Sequence, residues 1–292
     1  MTAIATAVRA DIHSARTQPE VVAAWRRLSV TAVRSVAAPV AMAVIAAAGW
    51  ELLKWLSGTN DLKMPHTWTI VAHLGSETSQ GDLYWQYLLS NAWSTARASI
   101  VGLALGVLLG AVTGVIVARS RLIGKGLSPL IVAAQAVPIV AVAPAVVLWL
   151  GTGWATKAVI ATYLTFFPIT IAVTRGINSV PRESRELFRT IAASRTRVLF
   201  GLELPSALPL IFVGLETAAA FSVVGAIVAE LPFGSRSGLG VVILTSWQFY
   251  TIEPAALYGV ALASCALGGA FVAAIRLLAR ISLGDRRPGE VM

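Results

Sequence analysis

The chain has 292 residues, 57% hydrophobic and only 13% charged, with a mean hydropathy of +0.76. An average soluble domain carries about 25% charged residues, so this chain has too little charge to solvate a globular surface. Its net charge of +9, from 23 Lys and Arg against 14 Asp and Glu, raises the nucleic-acid question, which the long apolar runs answer in the negative. The single cysteine, Cys265, excludes an intrachain disulfide and any multi-cysteine zinc or iron–sulfur centre.

A bilayer core takes about 20 apolar residues as a helix. Six such runs follow one another: Val36–Leu53, Ala92–Ala118, Leu127–Leu150, Trp154–Val173, Leu208–Leu231 and Ala255–Leu278. The expected fold is therefore all-α, a polytopic membrane protein with six transmembrane helices. Residues 1–35 read as an N-terminal amphipathic segment, with Pro19 suited to a first helical turn and Trp25, Arg26 and Arg27 suited to a membrane surface. The first transmembrane helix is placed at 36–57, a loop at 58–91, a core of five spans at 92–282 and a tail at 283–292. Ala46-Ala47-Ala48 mimics a signal-peptidase site, but the segment before the first span is too long for a signal peptide, and no cleavage is expected.

The basic residues orient these spans. All but Lys54, Lys63, Arg97, Lys157 and Arg236 fall before span one, between spans two and three, between spans four and five, or from Arg276 onward. With six spans those four regions lie on one side, which the positive-inside rule makes cytoplasmic. Both termini are thus expected in the cytoplasm. The opposite loop is mildly acidic and carries Trp68 and Trp85, with Trp93 just beyond it; these read as interfacial anchors or as substrate-contacting aromatics.

Span two carries Gly102, Gly106, Gly110 and Gly114 on one helix face. In lipid, helices associate by close backbone approach, so this face predicts a tightly packed neighbour, from this chain or a second copy. Span three contains Gln135 between Pro129, Pro138 and Pro144, and span four contains Tyr163, Thr165, Phe166, Phe167 and Pro168. Proline frees carbonyls and kinks a membrane helix. Gln135, Pro138, Pro144, Tyr163, Thr165, Phe166 and Phe167 line a pathway on this reading, or else kink and fill the bundle. Glu216 lies within span five, where charge is costly and often functional; no basic residue is expected at its depth, and it lines the pathway or reaches water in a vestibule. Arg97 and Glu230 both fall near outer span ends and make a plausible ion pair.

The stretch between spans four and five carries six arginines, five of them within residues 181–205, and is too long for a tight turn. A charged amphipathic helix is predicted from Glu183 to Ile191, then a small-residue break at Ala192-Ala193-Ser194. A second short helix follows from Thr196 and is stopped by Pro205. An arginine-rich knob of this kind docks a soluble partner or lies on anionic lipid.

This segment resembles the "EAA" loop of permease subunits from binding-protein-dependent ABC importers. Glu186-Leu187-Phe188 stands at the Glu-Ala-Ala place, Ala192 at the place of the glycine, and Leu204-Pro205 matches the terminal Leu-Pro. Ala193-Ser194-Arg195 holds the register, and Arg197 belongs to the same knob. The resemblance runs from about residue 90 to 282. It includes Leu148-Trp149-Leu150-Gly151-Thr152-Gly153, Lys157 and Ser237-Gly238-Leu239-Gly240, which are similar to the branch serving nitrate, sulfonates, taurine and thiamine-precursor pyrimidines. Gln135-Ala-Val-Pro-Ile-Val-Ala-Val-Ala-Pro144 is closer to the pyrimidine-precursor and riboflavin-like members.

The resemblance implies a permease subunit of a type I ABC importer in a bacterial inner membrane. Its partners would be an ABC ATPase dimer docked on the coupling loop, a second permease copy or paralogue, an extracytoplasmic solute-binding protein and the lipid bilayer, with no nucleic acid. The chain has no Walker A motif, no Gly-x-Ser-x-Gly and no His-Glu-x-x-His. Its three histidines, His13, His66 and His73, all fall outside the expected spans. No catalytic residue, metal site or cofactor is expected in this chain, ATP and magnesium belonging to the ATPase. A secondary transporter or channel, working without ATP, is the alternative class, and it calls for mid-membrane relays and inverted repeats.

Overall fold

In the computed structural model the described residues are 41–78, 81–231 and 235–283. The expected N-terminal amphipathic segment, the start of the first span and most of the tail lie outside them. The chain forms two units, one ending at Thr67 and one beginning at Trp68.

In the first unit, residues 41–57 form a helix, α1. Its last turns are tied to the following loop. Trp50 Nε1 donates to Pro65 O at 3.0 Å, and Glu51 accepts from the Thr67 backbone N–H at 2.7 Å. Lys54 binds Asp61, and this hydrogen bond holds the Asp61 carboxyl below the usual carboxylate range.

The second unit is helical, with an isolated bridge between Glu77 and Leu83 the only strand-like pairing among the described residues. Its elements are α2 (Thr67–His73), α3 (Tyr84–Arg119), α4 (Arg121–Gln135), α5 (Ile139–Leu150), α6 (Trp154–Asn178), α7 (Arg182–Thr190), α8 (Arg195–Val198), a π turn (Leu199–Glu203), α9 (Leu204–Glu230), α10 (Leu239–Gln248) and α11 (Pro254–Leu283). At about 1.5 Å per residue, the 36 residues of α3 exceed a bilayer core of about 30 Å by several turns.

Four described helices are long and apolar enough to cross a membrane: α3, α6, the continuous stretch Arg195–Glu230 and α11. Among the described residues the expected count of six is not confirmed. The first span lies partly outside the described residues, and the third is not a single helix. It breaks into α4 and α5, bent by 93° at Ala136–Pro138. Pro138 has no N–H for the helix ladder and its ring pushes Val137 away from α geometry. Pro138 itself takes ψ 116 at the head of α5. Pro129 and Pro144 sit inside α4 and α5 without breaking them.

α6 is the centre of the unit, packed along α3 on one side and α9 on the other. The glycine face of α3 makes the first seam. A Cβ at Gly102 would stand 2.4 Å from Ala161 Cβ, and one at Gly110 would stand 2.8 Å from Phe166 O. Gly106 and Gly114 would collide with Thr165 and Val173 in the same way. The second seam uses glycines to which the sequence pattern assigned no packing role. Cβ atoms at Gly214 and Gly225 of α9 would meet Ala172 Cβ at 2.3 Å and Ala161 Cα at 2.8 Å. Ala161 touches both neighbours because only an alanine fits between two backbones this close.

Candidate functional site

Two polar assemblies stand at opposite ends of this bundle. At the end where α6 leads into α7, the short helices α7 and α8 project between α6 and α9. α7 is amphipathic but buries no residue of its own. Its termination is built from backbone: Ala193 N donates to Phe188 O at 3.0 Å and Ala192 N to Arg189 O at 2.9 Å. This is a Schellman ending, whose outer residue must be left-handed and is usually glycine. Here that residue is Ala192, with φ 51, the one non-glycine residue with positive φ among those described. Ser194 then caps α8, accepting from Arg197 N at 3.3 Å.

The boundaries differ slightly from expectation. The first helix covers Arg182–Thr190, and Pro205 does not stop the second. α8 passes through the π turn directly into α9, and Pro205 lies in the first turn of α9. There the π turn has already shifted the helix ladder, Leu204 N bonding to Leu199 O, so the helix continues past the missing N–H of Pro205. Glu186 and Leu187 are exposed on α7, and Arg195 and Arg197 on α8, while Phe188 turns back toward Gly201. Ala192 and Ser194 are exposed and Ala193 half-buried; Leu204 and Pro205 are half-buried at the head of α9.

Beneath this knob lies a buried carboxylate that the sequence reading passed over. Glu203, 6% exposed, has Arg119 Nε at 3.5 Å and Arg185 Nη2 at 3.8 Å. Its signal was a lone acid in Leu202-Glu203-Leu204.

At the other end, Glu230 closes α9 and is 1% exposed. Its carboxylate accepts from Lys157 Nζ at 3.0 Å, Thr95 Oγ1 at 3.0 Å and Gly240 N at 2.8 Å. Lys157 also donates to Ser237 O at 2.6 Å. Asn91 Oδ1 accepts from Gly238 N and Thr95 Oγ1 from Leu239 N, at 2.8 and 2.9 Å. Side chains from α3 and α9 thus satisfy the free N–H groups at the start of α10. The expected Arg97–Glu230 pair does not form. Thr95 faces Glu230, and two residues further along a helix of 3.6 residues per turn the side chain points away. Lys157 takes the place assigned to Arg97.

The residues expected along a pathway separate into two groups. Gln135 and Pro138 are exposed at the α4–α5 bend, and Pro144 is half-buried in α5. Tyr163 donates to Ala134 O at 2.7 Å, bracing that bend from α6, and its ring stands edge-on to Phe167 at 5.0 Å. Phe166 is half-buried and Phe167 is buried under α4. Thr165 is fully buried in the α3–α6 seam, where its hydroxyl meets Gly102 O at 3.2 Å. That position faces α3 rather than any open space. Glu216 is half-buried and, against expectation, has a basic partner. Arg276 Nε lies 2.9 Å away, because α11 continues as one helix past this position and packs on α9.

Comparison with known proteins agrees with this architecture. Residues 102–281 match the family described as the binding-protein-dependent transport system inner membrane component. A riboflavin transport system permease protein of Chloroflexus aurantiacus is 34% identical over 194 residues, 66% of this chain and 70% of that protein. A formylaminopyrimidine transport permease protein of Halalkalibacterium halodurans is 37% identical over 140 residues, 48% of this chain and 56% of that one. The inward-facing MetNI methionine ABC transporter shares the fold, with a TM-score of 0.58 and 17% identity, over 68% of this chain and 96% of the matched chain.

The chain therefore belongs to the binding-protein-dependent transport system inner membrane components, the permeases of ABC importers. Its apolar helices fit a multi-pass inner-membrane protein, and its relatives are transport permease subunits rather than enzymes.

Proposed function

We propose that this chain is the membrane-spanning permease subunit of an ATP-driven importer for a small solute, coupled to a separate ATPase through α7 and α8. The observation that carries this reading is the α7–α8 knob. It is held by a left-handed residue at the position where the family pattern has glycine, and it presents Glu186, Leu187, Ile191 and several arginines outward. A helix with no fully buried residue, yet with a defined capped end, is suited to a groove on another protein.

On this reading the α7 end of the bundle is cytoplasmic, both termini lie on that side, and the α10 end meets a solute-binding protein. Two such subunits, identical or paralogous, form the pathway between them. ATP binding draws the two coupling segments together and opens the interface outward, and hydrolysis reverses this, as rigid-body alternating access. Gln135 and Pro138, exposed, and Pro144, Tyr163, Phe166 and Glu216, half-buried, are the pathway candidates that are not enclosed.

The proposed solute is a pyrimidine, thiamine-precursor or flavin-like heterocycle, a reading supported by the riboflavin and formylaminopyrimidine permease relatives. A sulfonate, taurine or nitrate is the second reading, supported by a 30% identical sulfonate permease relative in Bacillus subtilis. Affinity purification of the tagged chain from its native membrane tests the function. Recovery with a Walker-motif ATPase supports it, and ATP-independent solute exchange by the chain alone refutes it. Thermal shift of the binding protein encoded nearby, against riboflavin, aminopyrimidines, taurine and nitrate, separates the substrate classes.

A further inference from the structure

No residue of α7 is fully buried, and beside the packing of Phe188 toward Gly201 polar contacts tie it to the bundle. They converge on Glu203, the last residue of the π turn. A π turn adds a residue to the helix and re-aims the side chains around it, which is why such turns recur at functional sites. Here it turns Glu203 inward beneath the knob. Arg119, the last residue of α3, stands beside the Glu203 carboxylate and also donates from Nη2 to Arg195 O of α8 at 2.8 Å. Arg185 of α7 stands on the other side and donates to Ile177 O of α6 at 2.5 Å. One buried carboxylate therefore links α3, α6, α7 and α8 to the head of α9.

The junction is not fully closed. Arg185 Nε and Glu203 Oε2 are both buried, and neither has a hydrogen-bond partner among the described residues. The ion-pair separations, 3.5 and 3.8 Å, are longer than hydrogen bonds to charged groups. Movement of α7 toward the π turn would make bonds that are now unmade, and movement away would leave the buried Glu203 carboxylate without its Arg185 partner. The cluster thus responds to small displacements of α7 in either direction.

We infer that Glu203 is the positioning residue through which displacement of α7 and α8 is transmitted to α3 and α9. This rests on the reading of α7 and α8 as an ATPase-docking segment. It adds the side chain that carries the movement into the membrane helices.

The test uses the complex purified with its ATPase in nanodiscs, with Cys265→Ser removing the native thiol and a bimane label on Arg97→Cys. Arg97 is exposed and lies about 33 Å along α3 from Arg119. Magnesium-ATP with vanadate should change the bimane emission of this parent complex. Glu203→Gln should cut that change about five-fold or more, with the amount of trapped nucleotide per complex unchanged, and Glu203→Asp should restore most of it. Arg185→Gln, which leaves the Arg119 arm, should give an intermediate response and serves if Glu203→Gln does not assemble. A full response in Glu203→Gln or Arg185→Gln overturns the inference while leaving the importer reading intact. Loss of nucleotide trapping in proportion to the emission change also overturns it, because the effect is then on docking. A parent complex that traps nucleotide without any emission change overturns the inference alone, whereas a chain that never joins an ATPase overturns the reading and the inference together.

Discussion

Lys157 of α6 and Glu230 of α9 form an ion pair at 3.0 Å with both side chains 5% exposed or less. A pair this buried is retained for what it orders rather than for net Coulomb gain, since desolvation of both charges offsets most of the attraction. Here it orders the turn into α10. Gly238 and Gly240 lie so close to Glu230 that a Cβ on either would stand 2.0 and 2.6 Å from its atoms.

Removing one partner should therefore be worse than removing both. Lys157→Met alone strands the Glu230 carboxylate and should destabilise by about 3–5 kcal/mol. Adding Glu230→Gln should recover part of that, because the amide still accepts from Gly240 N. Thermal unfolding of the purified single and double variants, compared as a cycle, measures the coupling; additive losses would contradict it.

The glycine face of α3 predicts a position-dependent response to one added methyl. Gly106→Ala and Gly110→Ala force α3 away from α6 and should each cost about 1–3 kcal/mol by overpacking. Gly268→Ala in α11, with nothing within 4 Å, should be neutral or slightly stabilising. Melting temperatures of the variants in one detergent check the contrast.

Ala192 adopts φ 51, a conformation that costs a residue with a Cβ about 1 kcal/mol or more relative to glycine. Ala192→Gly should relieve this and tighten the α7 ending, while Ala192→Val should loosen it. Protease sensitivity of the α7–α8 segment should fall in the first and rise in the second.

Glu216 and Arg276 share an accessible ion pair on α9 and α11. Glu216→Arg or Arg276→Glu alone places like charges together and should lower the yield of folded protein several-fold. The exchange of both should restore it. Size-exclusion profiles report the outcome, and a swap no better than the singles would assign Glu216 a role independent of Arg276.

What the sequence revealed follows from what is local in it. Apolar runs mark helices because lipid length is fixed, and glycines four apart mark a helix face. The partner of that face was not readable, since nothing in α3 distinguishes α6 from another copy. Gly214 and Gly225 carried a usable signal, eleven residues or three turns apart, but they stand within a span of high alanine content where glycine draws little notice. Pro138 announced a kink, whereas the 93° bend and the Tyr163 hydrogen bond to Ala134 O beside it join α4 to α6, a pairing that local sequence does not fix. The ion pairs Lys157–Glu230 and Glu203–Arg119 join residues far apart in sequence, and their pairing depends on helix rotation that apolar runs do not fix.

The most direct measurement is a cross-link from α7. Leu187, exposed on the outer side of α7, is replaced by cysteine in the Cys265→Ser chain and treated with a short bis-maleimide in native membranes carrying a matching cysteine scan of the ATPase. The account predicts a permease–ATPase adduct at Leu187→Cys that disappears when cysteine is placed instead at Leu108, on the exposed flank of α3. Adducts at Leu108→Cys with none at Leu187→Cys, or an ATPase that never joins the chain, would contradict it.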